Sequence, residues 1–357
     1  MRGRHGKRTG KNRNHFKGFL SQRAENRKGQ VRTMITTKKE ILDILEMPED
    51  IWRETVMTQA RETQKQAGGN KLTASAMLGY DNICKNQCLY CGMRAGNSGV
   101  RRYRMSVEDI LQTAQAAVAL GLTRLFLVSG EDPKFPFEDI LRAVRGAKEA
   151  GLWVSLGAGE FSREQYVSLR EAGLDEYVMK FEMADREVFN RLNPSTDFDR
   201  RMKCIEWIRE SGMALASGNI VGYPGQTLEQ VADDILLMKE LEISWAPVIP
   251  YMPAAGTPLA AEGGRGSLLW NLKEISVLRL MMPHIHITAQ QPGEDPKEGL
   301  TSPSGNQAAL LAGADMLFAD MLPAAMAKDF RVIDNRMLTQ GPEHIRRMAA
   351  QAGMDMV

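Results

Sequence analysis

Three cysteines lie close together, with the spacing C-x3-C-x2-C. They are Cys84, Cys88 and Cys91, while the fourth cysteine of the chain, Cys204, falls far away in a predicted helix. Three thiolates can bind three irons of a [4Fe–4S] cluster, and the fourth iron is then free to bind a substrate or cofactor. The spacing therefore predicts an iron–sulfur cluster with one open coordination position.

A structural zinc site is the nearest alternative, and three unrelated buried cysteines are another. Zinc needs a fourth protein ligand and is commonly bound by C-x2-C pairs. No histidine or further cysteine lies within fifteen residues of the cysteine segment. The chain has no apolar signal segment at its start, so we expect reduced thiols in the cytoplasm rather than a disulfide framework.

Short apolar runs alternate with amphipathic helical patterns over most of the chain. The runs are Ala76–Tyr80, Arg124–Val128, Trp153–Leu156, Glu176–Phe181, Ala214–Val221, Trp245–Ile249, Ile285–Thr288 and Met316–Ala319. Strands separated by helices of this length predict parallel βαβ units in an α/β fold, and about eight such units fit a (β/α)8 TIM-type barrel. A doubly wound open sheet is the alternative. In a barrel the active site lies at the C-terminal strand ends, and the cysteines directly follow the first strand.

Composition divides the chain further. Residues 1–33 carry eleven Lys/Arg and one acid, a net charge of +10, which leaves −8 for the remainder of a chain with a total of +2. We expect these basic residues to form a disordered tail. The sequence contains no run of eighteen apolar residues, so we predict no membrane-spanning helix. The predicted divisions are the tail, N-terminal helices over 34–70, the core half-barrel and more over 71–240, a barrel-completing domain over 241–325 and a helical segment over 326–357.

The cysteine loop resembles the radical SAM superfamily, because Tyr90 precedes its last cysteine and the loop follows the first strand of a βα barrel. The resemblance implies that the open iron binds the amino and carboxylate groups of S-adenosylmethionine (SAM). One electron delivered to the cluster then breaks the sulfonium C–S bond and gives a 5′-deoxyadenosyl radical. The cofactors carry this chemistry, and the protein positions them and excludes water.

Further segments match the same family, and the resemblance assigns SAM contacts to them. The segment 129–132, Ser-Gly-Glu-Asp, is similar to the one that binds the SAM amino group. An acid at the end of the fourth strand and a base on the next helix correspond to contacts with the SAM ribose and carboxylate. The Gly-rich segment 218–227 resembles the fifth-strand motif beside the adenine. The residues assigned to SAM in this way are Tyr90, Gly130, Glu131, Glu182, Arg201, Val221 and Gly222.

Longer motifs between about residues 40 and 325 resemble the biotin-synthase-like subgroup, and within it the [FeFe]-hydrogenase maturase HydE and the methylornithine synthase PylB. This resemblance implies a small, amino-acid-derived substrate. Where HydE carries an Arg two residues before the fourth-strand acid, this chain has Lys180, which keeps a cation but changes its hydrogen-bond geometry. The predicted substrate residues are Lys180, Tyr251, Gln290 and Gln291.

The leading hypothesis is therefore a HydE-like radical SAM enzyme with a [4Fe–4S] cluster, in an anaerobic setting. Its partners would be a small-molecule substrate and a reductant such as ferredoxin or flavodoxin. A methylornithine-synthase-like mutase is the second hypothesis, and a non-catalytic iron–sulfur electron carrier or sensor belongs to another class. An RNA-modifying enzyme would use the basic tail, but the acidic remainder and the lack of an added RNA-binding domain count against a nucleic-acid partner.

Overall fold

The computed structural model describes residues 35–295, 298–334 and 341–357. The predicted basic tail lies outside the described residues. Three helices open the described chain: α1 (Lys38–Leu45), α2 (Glu49–Trp52) and α3 (Thr58–Gly68). A π-helical turn joins α2 to α3, and a capping box at Thr37 and Glu40 starts α1 because each side chain binds the other residue's backbone N–H. Helical structure therefore occupies most of residues 38–68.

Strands and helices alternate through the rest of the chain. The strands are β1 (Lys71–Asp81), β2 (Arg124–Ser129), β3 (Trp153–Gly157), β4 (Glu176–Val178), β5 (Ala214–Ala216), β6 (Ile220–Val221), β7 (Trp245–Ala246), β8 (Ile249–Pro250), β9 (His286–Ile287), β10 (Met316–Asp320) and β11 (Asp355–Met356). The further helices are α4 (Val107–Ala119), α5 (Phe137–Glu149), α6 (Arg163–Glu171), α7 (Arg186–Leu192), α8 (Phe198–Glu210), α9 (Leu228–Glu240), α10 (Leu268–Met281), α11 (Pro303–Leu311), α12 (Ala324–Ala327) and α13 (Pro342–Ala352). Among the described residues, no helix is both long and apolar enough to cross a membrane.

Eight of these strands form a closed parallel ring. The order is β10, β1, β2, β3, β4, β5, β7 and β9. The ring closes where Thr288 bridges to Met316 and where Asp315 N donates to Ile287 O at 3.1 Å. The (β/α)8 barrel is therefore confirmed, and the open doubly wound sheet is wrong.

Aromatic side chains fill the barrel below its C-terminal end. Phe126 packs edge-on against Trp245 with ring centroids 5.2 Å apart, and Trp245 contacts Phe318 at 5.3 Å. Trp245 Nε1 donates to Thr288 Oγ1 at 2.8 Å, so its polar atom is satisfied inside the barrel. This aromatic layer forms a floor, and the space above it remains for a ligand.

Two predicted strands are interrupted near the barrel mouth. The fifth apolar run splits into β5 and β6, and the sixth into β7 and β8, and β6 pairs with β8 in a separate two-stranded sheet. The break lies where Glu182, beyond the end of β4, forms a bridge to Asn219 and so binds the backbone of the fifth run between β5 and β6. At the other end of the barrel, β11 pairs with the start of β1, where the sequence predicted only helix.

Candidate active site

A cavity of about 380 Å³ opens above the aromatic floor, at the C-terminal ends of the strands. Loops that follow different strands bring their polar side chains together here, as expected for a barrel of this kind. The predicted site residues that line the cavity are Cys84, Tyr90, Cys91, Gly130, Glu131, Lys180, Glu182, Arg201, Tyr251 and Gln290. The other four, Cys88, Val221, Gly222 and Gln291, lie beside or behind this wall.

The cysteine loop is fixed by backbone hydrogen bonds to two other strand-end loops. Lys85 N donates to Glu131 O at 2.9 Å, and Gly92 N donates to Val332 O at 3.0 Å. Position 92 has no room for a side chain, because a Cβ on Gly92 would lie 2.2 Å from the backbone oxygen of Arg331. The segments after β2 and after β10 therefore hold the loop at the cavity.

The three thiols of this loop are free and partly buried. Burial is the main cause that raises the pKa of each thiol, to about 12 for Cys88, and neighbouring thiolates raise those of Cys88 and Cys91 further. Cys84 and Cys91 both line the cavity, and Cys91 N donates to Cys88 O at 3.4 Å, so the three cysteines lie together on one short loop. The loop offers three thiolates, the number that binds three irons of a cluster, whereas a structural zinc ion takes four protein ligands. The donor set therefore fits a cluster better than zinc.

No fourth cysteine or histidine from the described part of the chain joins these thiols. Cys204 is fully buried on α8, with its sulfur 3.8 Å from the Phe161 carbonyl oxygen. The described histidines, His284, His286 and His344, do not line the cavity. The fourth iron of a cluster bound here would keep an open position.

Glu131 lies on the cavity wall beside the cysteine loop. Its Oε2 accepts a hydrogen bond from Asn86 Nδ2 at 2.9 Å, and its Oε1 pairs with Lys85 Nζ at 2.6 Å. Gly130 before it has no room for a side chain, because a Cβ would lie 2.1 Å from the backbone oxygen of Ile83. Backbone and carboxylate of this segment are thus brought against the loop that carries the cysteines.

Glu182 occupies a left-handed backbone conformation, with φ 64°, four residues after the end of β4. Its N–H donates to Gly218 O at 3.0 Å, and its own carbonyl accepts from Ile220 N at 3.0 Å. Its Oε2 lies 3.1 Å from Lys180 Nζ but has no hydrogen-bond partner in the described structure. Non-glycine residues keep such conformations only where the surroundings enforce them, commonly at functional sites. Here the conformation brings the carboxylate to the cavity.

Arg201 on α8 is the buried member of an arginine pair, and Arg200 is more exposed. Arg201 Nε donates to Glu160 Oε1 at 2.9 Å, and its guanidinium lies 5.2 Å from the centroid of the Phe189 ring. Burial acts to lower the pKa of Arg201, but Glu160 and its other anionic neighbours hold it above the ordinary value. Glu160 was not among the residues predicted from the sequence. Its only signal was a carboxylate in the loop after β3.

The adenine side of the predicted site needs a correction. Val221 is fully buried in the layer between strands and helices, whereas the preceding Ile220 lines the cavity and belongs to the same apolar cluster as Tyr90. Successive strand residues face opposite sides, so Ile220 takes the place predicted for Val221. Gly222 has φ 75°, and its N–H is taken by Gln226 Oε1. The Tyr90 hydroxyl donates to Asn193 Oδ1 at 2.6 Å, which fixes the ring.

Of the predicted substrate residues, three reach the cavity and one does not. The Tyr251 side chain is 2% exposed, and its hydroxyl has no hydrogen-bond partner in the described residues. Gln291 is fully buried behind the wall, where its Oε1 accepts from Asn271 Nδ2 at 2.8 Å and its Nε2 donates to Val248 O at 2.9 Å. The prediction for Gln291 is therefore corrected to a structural role, because neighbouring elements use both ends of its amide.

Comparisons with known proteins agree with this arrangement. Residues 81–238 match the Radical SAM superfamily. The [FeFe] hydrogenase maturase subunit HydE of Thermotoga maritima is 32% identical over 288 residues, 81% of this chain and 81% of that protein. A 3-methylornithine synthase of Methanosarcina barkeri is 28% identical over 252 residues, 69% of this chain and 71% of that protein. The crystal structure of methylornithine synthase (PylB) superposes with a TM-score of 0.78 at 25% identity, covering 90% of this chain and 94% of that chain.

A parallel barrel with a three-cysteine loop at its mouth defines an enzyme that uses a [4Fe–4S] cluster and SAM for radical chemistry. The chain belongs to the radical SAM superfamily, and it is related to HydE, to 3-methylornithine synthase and to biotin synthase. The family resemblance of the sequence is thereby confirmed.

Proposed function

We propose that Cys84, Cys88 and Cys91 hold the [4Fe–4S] cluster with its open iron toward the cavity. The observation that supports this most is the set of three neighbouring, unpaired thiols without a fourth cysteine or histidine beside them in the described structure. The bound cluster and SAM supply reductive cleavage of the sulfonium C–S bond to a 5′-deoxyadenosyl radical. A non-catalytic carrier would need a fourth ligand in place of the open position.

The charged side chains around the cavity suit the polar groups of SAM. We assign Glu131 and the Gly130 backbone to the amino group, Arg201 to the carboxylate and Glu182 to the ribose hydroxyls. Glu160 holds the Arg201 guanidinium in one orientation, so the arginine is positioned before the cofactor binds. Charge-assisted hydrogen bonds of this kind are about twice as strong as neutral ones.

Apolar side chains complete the site. Tyr90 and Ile220 offer a flat surface to the adenine, and the hydrogen bond from Tyr90 to Asn193 holds that surface still. Below them, the aromatic floor formed around Trp245 contributes to a largely apolar cavity. A site of this kind excludes water, so that a reactive intermediate meets the substrate and not the solvent.

The substrate we propose is a small, amino-acid-derived molecule, as in a HydE-like enzyme. Lys180 places a cation on the cavity wall that suits a carboxylate, and Tyr251 offers a free hydroxyl. Gln290 can add an amide hydrogen bond. The identity of 32% to HydE over most of the chain favours this reading. A mutase of the methylornithine-synthase type is the second candidate, because the PylB structure superposes over 90% of the chain.

The test is SAM cleavage by the anaerobically reconstituted protein. After loading with iron and sulfide, dithionite and SAM are added and 5′-deoxyadenosine is measured by liquid chromatography. The parent protein and Cys204→Ala should produce it, because Cys204 lies outside the cavity, and Cys88→Ala should not. Product from Cys88→Ala, or four protein ligands in the iron spectra of the parent, would contradict the proposal. Conversion of L-lysine to 3-methylornithine would decide for the mutase.

The setting follows from the same chemistry. We propose that the enzyme works in an anaerobic cytoplasm, where thiols stay reduced and available for a cluster. A one-electron protein reductant, such as ferredoxin or flavodoxin, supplies the electron for SAM cleavage. The unpaired state of the described cysteines supports this proposal.

A further inference from the structure

The loop around the cysteines is a positively charged part of an otherwise acidic body. Residues 82–104 contain five Lys/Arg and no Asp or Glu, a net charge of +5. The whole chain has a net charge of +2 and residues 1–33 carry +10, so all remaining residues together sum to −13. Charge of one sign is therefore concentrated on the segment that carries the cluster ligands.

Ion pairs in this region place the cation outside and the acid beneath it. The Arg101 side chain is 64% exposed and its partner Asp329 only 11%. The Arg104 side chain is 38% exposed and its partner Asp132 only 2%. Lys85, half exposed, likewise covers the less exposed carboxylate that it binds. Each pair is neutral as a whole, but its positive end faces the solvent.

Hydrogen bonds tie these cations to the cysteine loop. Asn82 Nδ2 donates to Arg101 O at 2.8 Å, and the Arg102 guanidinium donates to Met93 O and Arg94 O, both at 2.7 Å. The two halves of the segment are thus fastened together on either side of the cysteines. A charge on this surface keeps a fixed position relative to a cluster held by the loop.

Lys134 is exposed, lies two residues after Asp132 and lines the same surface depression as Lys85. We propose that the cationic face formed by Lys85, Arg94, Arg101, Arg104 and Lys134 docks the protein that reduces the cluster, a small acidic one-electron carrier. The inference rests on the proposed function. In the docked complex the carrier loses one electron and the cluster gains one, and no covalent bond changes. Complementary charge at such a surface speeds the encounter and fixes the orientation of the partners.

A charge-neutralised double variant tests this docking surface. Arg101→Gln with Lys134→Gln removes two positive charges, and the new glutamine still offers an N–H donor to Asp329. Arg145→Gln with Arg209→Gln is the matched control, because these arginines lie on α5 and α8 and pair with exposed acids. The rate constant for cluster reduction by a reduced acidic flavodoxin is measured by stopped flow. We expect it to fall about tenfold in the double variant at low salt and to stay unchanged in the control.

Salt and dithionite separate the possible outcomes. The difference between the two double variants should disappear at high ionic strength, because salt screens exposed charges. With dithionite, which needs no docking, both should give as much 5′-deoxyadenosine as the parent. If the parent protein gave no 5′-deoxyadenosine with dithionite, the proposed function itself would be contradicted. If the parent is active with dithionite but the cationic-face variant is reduced by flavodoxin as fast as the control, the docking proposal is overturned. If that variant is reduced at an unchanged rate but no longer binds an RNA oligonucleotide, the cationic face is instead a nucleic-acid-binding surface.

Discussion

Arg200 and Arg201 are adjacent and identical in type, but they differ in what they contact. Helix α8 buries its residues 201, 204, 205 and 208, which recur with helical spacing and face the barrel. Arg201 therefore reaches the cavity and binds Glu160 at 2.9 Å. Arg200 pairs with Glu160 only at 3.6 Å and lies near the surface against the ring of Trp207, 5.0 Å from its centroid. One step along the helix separates a residue suited to bind a cofactor from one that covers the surface.

Replacement of each of these two arginines in turn by glutamine gives a matched test of SAM binding. Arg201→Gln should raise the KM for SAM at least tenfold, because a hydrogen bond to a charged group contributes about 1.5–3 kcal/mol. Arg200→Gln should leave the KM within about twofold of the parent, since Arg200 does not line the cavity and its ion pair with Glu160, at 3.6 Å, is half-exposed and weak. Both are measured as 5′-deoxyadenosine formation against SAM concentration with dithionite. Equal KM values for the two variants would remove Arg201 from the SAM site.

At the scale of elements, two helices support the loop that carries Glu182. Asn219 Nδ2 donates to Asp234 Oδ2 on α9 at 3.0 Å and to Glu274 Oε1 on α10 at 2.9 Å. Asp234 Oδ1 in turn accepts from Ala184 N at 2.7 Å, two residues after Glu182. All three polar side chains are buried. One amide group thus links α9 and α10 to the β4 end of the barrel mouth.

Removal of that amide should destabilise the protein far more than a change in one of its acceptors. Asn219→Ala leaves the buried Glu274 without its donor and removes one donor from Asp234, which keeps those from Ala184 N and Gln226 Nε2. We expect a loss of about 2–4 kcal/mol in the free energy of unfolding. Glu274→Gln should cost less than about 1 kcal/mol. Burial raises the pKa of Glu274 well above its ordinary value, which favours its neutral form, and the glutamine carbonyl can accept the same bond. Urea unfolding measures both, and a larger loss for Glu274→Gln would contradict this account.

The elements were predictable from sequence to the extent that local pattern determines them. Alternating apolar runs and helical patterns were enough for the barrel, because the centres of strands such as β1, β2 and β3 are buried on both faces. The break between β5 and β6 was not predictable, since it depends on the bridge between Asn219 and Glu182, which lies two helices earlier in the chain. The sequence placed Val221 at the cavity where the structure has Ile220, an error of one residue, and a shift of one residue in a strand moves a side chain to the opposite face. Gln291 resembled a loop residue until its two amide partners were known.

The site was predictable where a motif carries the chemistry, and less so elsewhere. The cysteine spacing alone indicated the cluster, because three thiolates and an open iron need no distant partner. Glu160 was missed because its role depends on Arg201, which lies 41 residues later and meets it only in the folded barrel. Apolar lining residues such as Trp245 carried no signal of function either, since a cavity wall and a core have the same composition.

At the scale of the whole molecule, the cluster should bind the folded barrel and stabilise it. The loop with Cys88 depends on segments after β2 and β10, so the complete ligand set exists only in the native state. A ligand that binds only the native state raises stability by mass action, and loading with iron and sulfide should raise Tm by roughly 3–6 °C. Cys88→Ala should lose this rise, and Cys204→Ala should keep all of it because its sulfur is buried on α8. Anaerobic thermal melts of loaded and unloaded protein measure the rise. If Cys204→Ala lost it and Cys88→Ala kept it, the cluster would lie elsewhere than the barrel mouth.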